Sequence, residues 1–125
     1  MKYIRILWSY LCGLLYVVWI TVLPKKPLAK VEGNITNSII GPKVVIEEGA
    51  NVIDSVIFSN VVIKKGATVN YSIIDENVEI GENATVGASK DEGIKIAVIG
   101  RGVKVYNDAI VENGANIEED VRKEK

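Results

Sequence analysis

The sequence predicts an all-β fold, one chain wound into about five stacked parallel coils, and three observations predict it. The chain repeats when cut every 17 residues, a single β-branched aliphatic residue recurs at steps of five, six and six, and small or turn-forming residues keep fixed offsets from it. From Asn34 the repeats read NITNSIIGPKVVIEEGA, NVIDSVIFSNVVIKKGA and TVNYSIIDENVEIGENA. A period of this length marks a supersecondary unit that buries its apolar face only by stacking on its neighbours.

The aliphatic series begins at Ile35 and runs through Ile40, Ile46, Val52, Ile57, Ile63, Val69, Ile74, Ile80 and Val86. It then steps eight residues to Ile94 and resumes at Ile99, Val105, Val111 and Ile117. Neither a helical period of 3.6 nor plain strand alternation produces these steps, whereas three short strands per coil, each followed by a bend, do. Fifteen positions at three per coil give five coils. Two residues before these aliphatics stand Ser38, Ser55 and Ser72, then Val44, Val61 and Val78, then Ala50, Ala67 and Ala84. Residues two apart share a strand face, so both series point inward. Three residues after most aliphatics come Gly49, Asn60, Gly66, Asn77, Asn83, Gly102, Asp108, Gly114 and Asp120, types that tolerate the positive φ of a tight corner. Lys43, directly after Pro42, departs from that rule.

The remaining segments are placed against this frame. Residues 1–23 form a hydrophobic segment expected to be helical, 24–33 a linker with two prolines and a glycine, 34–121 the coils, and 122–125 a charged tail. Ile6 to Leu23 contains no charged residue and as a helix would be roughly 27 Å long. Trp8 and Trp19 sit near its ends and Lys2, Arg5, Lys25 and Lys26 flank both sides, so it reads either as a membrane anchor without charge-set orientation or as a truncated leader. Something must cover the exposed first coil, and the linker and hydrophobic segment are what this chain offers. Glu118, Glu119, Asp120, Arg122 and Lys123 supply charge against edge pairing at the other end. The eight-residue step, an insertion of about three residues around GASKDEG, predicts a protruding loop in the fourth coil.

Outward positions precede the buried aliphatics. On one face they are Ile39, Val56, Ile73 and Ile110, and on the next Val45, Val62 and Val98. With Phe58 near the shared corner they form an apolar strip of the kind that docks another domain or subunit, to be weighed against simple strand propensity. The third face carries Asn34, Asn51, Thr68, Thr85 and Lys104. Lys64, Lys65, Lys95, Arg101 and Lys104 are candidate phosphate ligands on outward positions, where a solvated surface is the competing explanation.

Composition narrows the chemistry. Fifteen basic residues against 16 acidic ones, scattered along the chain, give no field that favours nucleic acid. The chain has no histidine, and its one cysteine, Cys12, has no partner for a disulfide or a metal site. No catalytic, cofactor-binding or metal-ligating residue is assigned.

The hexapeptide pattern resembles the left-handed β-helix family, and the left hand is implied by that resemblance. SVIFSNVVIKKGATV and SIIDENVEIGENATVG, followed by the GASKDEG loop and IAVIGRGVKV, are similar more narrowly to the C-terminal domain of bacterial glucose-1-phosphate adenylyltransferase. PLAKV, Pro27 to Val31, is similar to the proline-containing linker entering that domain. The resemblance spans residues 24–121 and implies an assembly and regulatory module. In that family the chemistry belongs to a separate nucleotidyltransferase domain, and sugar-phosphate effectors bind at a site the β-helix helps to form. Residues 1–23 are too short to supply such a domain. The expected partners are another copy of the chain or a nucleotidyltransferase domain, and the expected location is cytoplasmic. The alternative is a membrane-tethered β-helix scaffold anchored through Ile6 to Leu23. Acyltransferases and carbonic anhydrases of the same coil type rely on histidine, which this chain lacks.

Overall fold

Three short strands and three corners return the chain to its starting face in the computed structural model, which describes residues 29–122. In chain order the strands are β1 Lys30–Val31, β2 Asn34–Thr36, β3 Ile39–Ile40, β4 Val45–Ile46, β5 Asn51–Ile53, β6 Val56–Ile57, β7 Val62–Ile63 and β8 Thr68–Asn70. They continue as β9 Ser72–Ile74, β10 Glu79–Ile80, β11 Thr85–Val86, β12 Ala97–Ile99, β13 Lys104–Val105, β14 Ile110–Val111 and β15 Asn116–Ile117. Every third strand stacks in parallel, giving sheet A (β1-β4-β7-β10-β13), sheet B (β2-β5-β8-β11-β14) and sheet C (β3-β6-β9-β12-β15). The described residues are therefore an all-β parallel solenoid of five coils, without a helix. The hydrophobic segment Ile6 to Leu23 and its expected helix lie outside them.

The repeat dictates the core. Ile46, Ile63, Ile80 and Val105 stack inside sheet A, Val52, Val69, Val86 and Val111 inside sheet B, and Ile57, Ile74 and Ile99 inside sheet C, all buried. Val44, Val61, Val78, Ala50, Ala67 and Ala84 are fully buried beside them, as the second series requires. Each aliphatic side chain contributes on the order of 1.5 to 3 kcal/mol relative to exposure.

Ile94 is the exception. It lies in no strand and does not belong to the core, because β11 with Val86 pairs with β14 and leaves residues 87–96 as a loop. From Val86 to Ile99 the chain takes thirteen residues where Val52 to Ile57 takes five, so the insertion is eight residues rather than three. The misreading has a simple origin: Ile94 stands five residues before Ile99 and imitates the regular step. Val31 occupies the fifteenth position instead, pairing with Ile46, so β1 falls inside the stretch read as linker. The total of five coils and the loop in the fourth are unchanged.

The corners follow the predicted types at Gly49, Asn60, Gly66, Asn77, Asn83, Gly102, Asp108 and Gly114, all with positive φ. Lys43 also has a φ of 59°, and its place is explained by Pro42, whose fixed φ suits the second position of a turn with a left-handed third residue. Asp120 is not among the positive-φ residues. Its carboxylate instead accepts the Lys104 amide at 2.8 Å.

A second set of corners, between sheets B and C, explains the five-residue step. Asn37, Asp54 and Tyr71 take positive φ there, and the serine that follows ties each corner down. The hydroxyls of Ser38, Ser55 and Ser72 donate to the carbonyls of Thr36, Ile53 and Asn70 at 2.7, 2.7 and 2.6 Å. Ser38 Oγ accepts the Ser55 amide at 3.0 Å, and Ser55 Oγ accepts the Ser72 amide at 3.2 Å. The serine column thus links successive coils inside the core, where an unpaired hydroxyl would be costly. In the fourth coil the loop replaces this corner, starting at Gly87, and Ala97 stands where serine would.

Candidate functional site

The outer surface of sheet C is an apolar column. Ile39, Val56, Ile73 and Val98 are registered side by side, and Asn116 ends the column in the fifth coil. Ile39 is 67% exposed, while Val56, Ile73 and Val98 are half-buried by their column neighbours. Phe58, 45% exposed, stands at the corner toward sheet A, where its amide donates to the Ile74 carbonyl at 2.9 Å.

This placement redistributes the expected strip. Val98 belongs with Ile73 on sheet C, not with Val45 and Val62, which are neighbours on sheet A. Ile110, 71% exposed, lies on sheet B beside Thr85, away from the sheet C column. Lys104 lies on sheet A beside Glu79, not on the polar face. All three shifts share the cause of the Ile94 error: past the eight-residue insertion, the sequence frame is displaced by one face. The sheet C column keeps four aliphatic residues, with Val98 in the place expected for Ile110, and now runs without a gap through four coils. Sheet B presents Asn34, Asn51, Thr68 and Thr85, with Asn34 Nδ2 donating to Asn51 Oδ1 at 3.2 Å.

The outer face of sheet A carries charge in its later coils. Glu79 sits between two lysines, with Lys64 Nζ at 2.8 Å and Lys104 Nζ at 3.6 Å from the same carboxylate oxygen. The hydrogen bond from Lys64 is the main cause holding the Glu79 carboxyl below its ordinary range, against a smaller opposing effect of burial. The same bond, with the attraction of the Glu79 charge, raises the Lys64 ammonium. The pair is about one-third exposed, so its net contribution is ~1 kcal/mol or less.

Tyr106 follows, with Lys104 Nζ 5.0 Å and Arg122 Cζ 4.7 Å from its ring centre. Arg122 is held there by the chain itself: Val121 donates to the Lys104 carbonyl at 2.9 Å and its own carbonyl accepts the Tyr106 amide at 2.8 Å. Gly81 makes the arrangement fit, since a Cβ there would lie 2.5 Å from the Asn107 amide nitrogen. Of the five basic residues singled out in the sequence, the fold brings together Lys64 and Lys104. Arg101 pairs with Glu76 at 3.5 Å, Lys95 packs near Gly114, and Lys65 is exposed elsewhere. Sequence reasoning missed Glu79, Tyr106 and Asn107, and took Arg122 for edge charge. Counting 25 residues from Glu79 to Lys104 would have aligned them.

Among the described residues no group of three or more histidine, cysteine or acidic side chains is placed to hold a metal ion, and no helix is long and apolar enough to cross a membrane.

Residues 29–96, more than half of the chain, match the family described as GlmU-like, C-terminal hexapeptide. No curated protein matches. Among solved structures, the acetyltransferase domain of PglB from Neisseria gonorrhoeae in complex with acetyl coenzyme A is 19% identical, with 87% of this chain and 58% of that chain covered and a TM-score of 0.36. A mutant of perosamine N-acetyltransferase from Caulobacter crescentus, in complex with CoA and GDP-perosamine, is 19% identical, with 76% and 50% covered and a TM-score of 0.43. This chain therefore spans between half and three-fifths of the length of those structures.

Proposed function

The chain belongs to the GlmU-like C-terminal hexapeptide family, and we propose that it is a non-catalytic assembly and regulatory β-helix module of a glucose-1-phosphate adenylyltransferase. One observation carries the docking role: the unbroken outward column Ile39, Val56, Ile73 and Val98, flanked by Phe58. Apolar columns of this kind lose water when a second surface covers them, and bury little without one. The partner is another copy of the chain or a nucleotidyltransferase domain. The repeat pattern and the proline-containing entry segment support the adenylyltransferase assignment, and the absence of histidine argues against acetyl transfer by this chain.

The test is sedimentation of the full chain, by itself and with a nucleotidyltransferase domain supplied separately. Val56→Lys with Ile73→Asp is expected to keep the β circular dichroism signal and to weaken whichever association is seen, and unchanged sedimentation would remove the docking role. Purified chain is expected to release no pyrophosphate from ATP and glucose 1-phosphate; release would show the non-catalytic reading wrong.

A second reading rests on the uncharged run Ile6 to Leu23. It makes the chain a membrane-tethered scaffold whose apolar column serves self-assembly. Cell fractionation separates the two readings, because a chain found entirely in the detergent-free soluble fraction is not tethered.

A further inference from the structure

We propose that the apolar column on sheet C is covered in the free chain by the chain's own segment Ile6 to Leu23, which a docking partner displaces. The displacement rests on the docking role proposed above; the coverage does not.

Among the described residues the column has no cover. Ile39, Val56, Ile73 and Val98 run through four coils, three steps of about 4.8 Å, or roughly 14 Å from end to end. The loop of residues 87–96 borders them at the corner toward sheet B, and Phe58 at the corner toward sheet A. With the width of a strand of two or three residues, this face is on the order of 200 Å², a quarter of the roughly 800 Å² that each partner buries in a standard interface. A second chain has to add surface from elsewhere and gives up its translational freedom. A segment tethered beside the column does neither.

The first described residue places the tether. Ala29, half-buried against the core, precedes β1 at the corner joining sheet C to sheet A, the position Val44 holds one coil on. The Lys30 amide donates to the Val44 carbonyl at 2.8 Å and fixes that register. The chain therefore enters β1 from the Phe58 side of the column. Residues 24–28 link Leu23 to Ala29, a reach of up to about 20 Å that brings the end of the segment onto the column. The segment is long enough to run past it, since 18 residues span about 27 Å even at the short rise of a helix.

The two surfaces match in chemistry. No residue from Ile6 to Leu23 is charged, and only Ser9, Tyr10, Tyr16 and Thr21 carry a hydroxyl. Sheet B, with Asn34, Asn51, Thr68 and Thr85 outward, offers such a segment nothing apolar in those coils. On sheet C both sides lose water on contact, and the tether holds them at high effective concentration.

The segment carries its own probes, so the full chain is tested in detergent-free buffer. Trp8 and Trp19 are its only tryptophans and Cys12 its only cysteine. Quenching of the tryptophans by acrylamide is expected to be weak in the parent and to rise at least about twofold in Val56→Lys with Ile73→Asp, while Thr68→Lys leaves it unchanged. A short bismaleimide should join Cys12, within one chain, to the cysteine of Val56→Cys, Ile73→Cys or Val98→Cys at least about tenfold faster than to that of Thr68→Cys or Thr85→Cys. Circular dichroism should show the same β signal in each variant. Binding of the nucleotidyltransferase domain should slow the sheet C crosslinks, and binding that leaves them unchanged removes the displacement.

Equal crosslinking to both sheets, or tryptophans as accessible in the parent as in the double variant, overturns the coverage. Crosslinks found only between chains give the column to a second copy and overturn it too. So does a full chain that floats with phosphatidylcholine vesicles and loses the sheet C crosslinks, because the segment then belongs to a membrane. The docking role fails separately. If the double variant exposes the tryptophans but sediments like the parent, the segment covers the column and docking lies elsewhere; if sedimentation weakens with the tryptophans accessible throughout, docking stands and the coverage is overturned.

Discussion

Sheets B and C share one interior and differ outside. Both put β-branched aliphatic residues inward at every coil, and both pair in parallel through the same register. Outward, sheet B shows Asn34, Asn51, Thr68 and Thr85 where sheet C shows Ile39, Val56, Ile73 and Val98. Threonine is as good a strand former as valine, so strand propensity does not require the aliphatic column. Coil closure accounts for the inner residues in both sheets. The outer residues are free of that constraint, and there the two sheets differ.

The comparison can be broken at several depths. The largest effect is expected inside, where the sheets should behave alike: Ile74→Ala in sheet C should cost ~2 to 5 kcal/mol, and Val69→Ala in sheet B somewhat less, measured by urea unfolding. A loss below ~1 kcal/mol at either site would show that the two interiors are not equivalent. Ser55→Ala, at the corner joining the sheets, comes next. It removes the bond to Ile53 and orphans the Ser72 amide, and should cost ~1 to 3 kcal/mol. An unchanged midpoint would mean that the positive φ of Asp54 holds without the hydroxyl.

On the outside the sheets should part. Thr68→Lys on sheet B is expected to change stability by no more than ~0.5 kcal/mol and to leave sedimentation as it was, in contrast to Val56→Lys with Ile73→Asp. Equal loss of association from both would make the docking surface a property of the whole solenoid.

The smallest effect belongs to the Lys64–Glu79 pair. Glu79 has a lowered pKa, so its contribution is present above its unfolded value and disappears as pH falls through the folded one. Lys64 has a raised pKa, so its contribution is present below 10.5 and disappears as pH rises through the folded value. Glu79→Gln should flatten the stability profile at both edges by ~1 kcal/mol or less, and an unaltered profile would make the pair energetically silent.

The steps of five, six and six determined the solenoid, its five coils, the inner residues and most corners, because each of these depends on a strand of two or three residues and the bend beside it. Even the misassigned Ile94 left the coil total intact, since Val31 completed the series. The tertiary structure decided what depends on pairing between coils. Only the pairing of β11 with β14 shows that eight residues leave the coil after Val86, and that displacement moved Val98, Ile110 and Lys104 to other faces. The serine column is invisible to spacing, because Ser38, Ser55 and Ser72 look like small core fillers until the coil above presents its amide. The cation cluster is the extreme case. Lys64 and Lys104 meet at Glu79 because β7 and β13 flank β10 at about 4.8 Å on either side, and Arg122 joins them through the bridge of Val121 to Val105, neither of which a local pattern encodes.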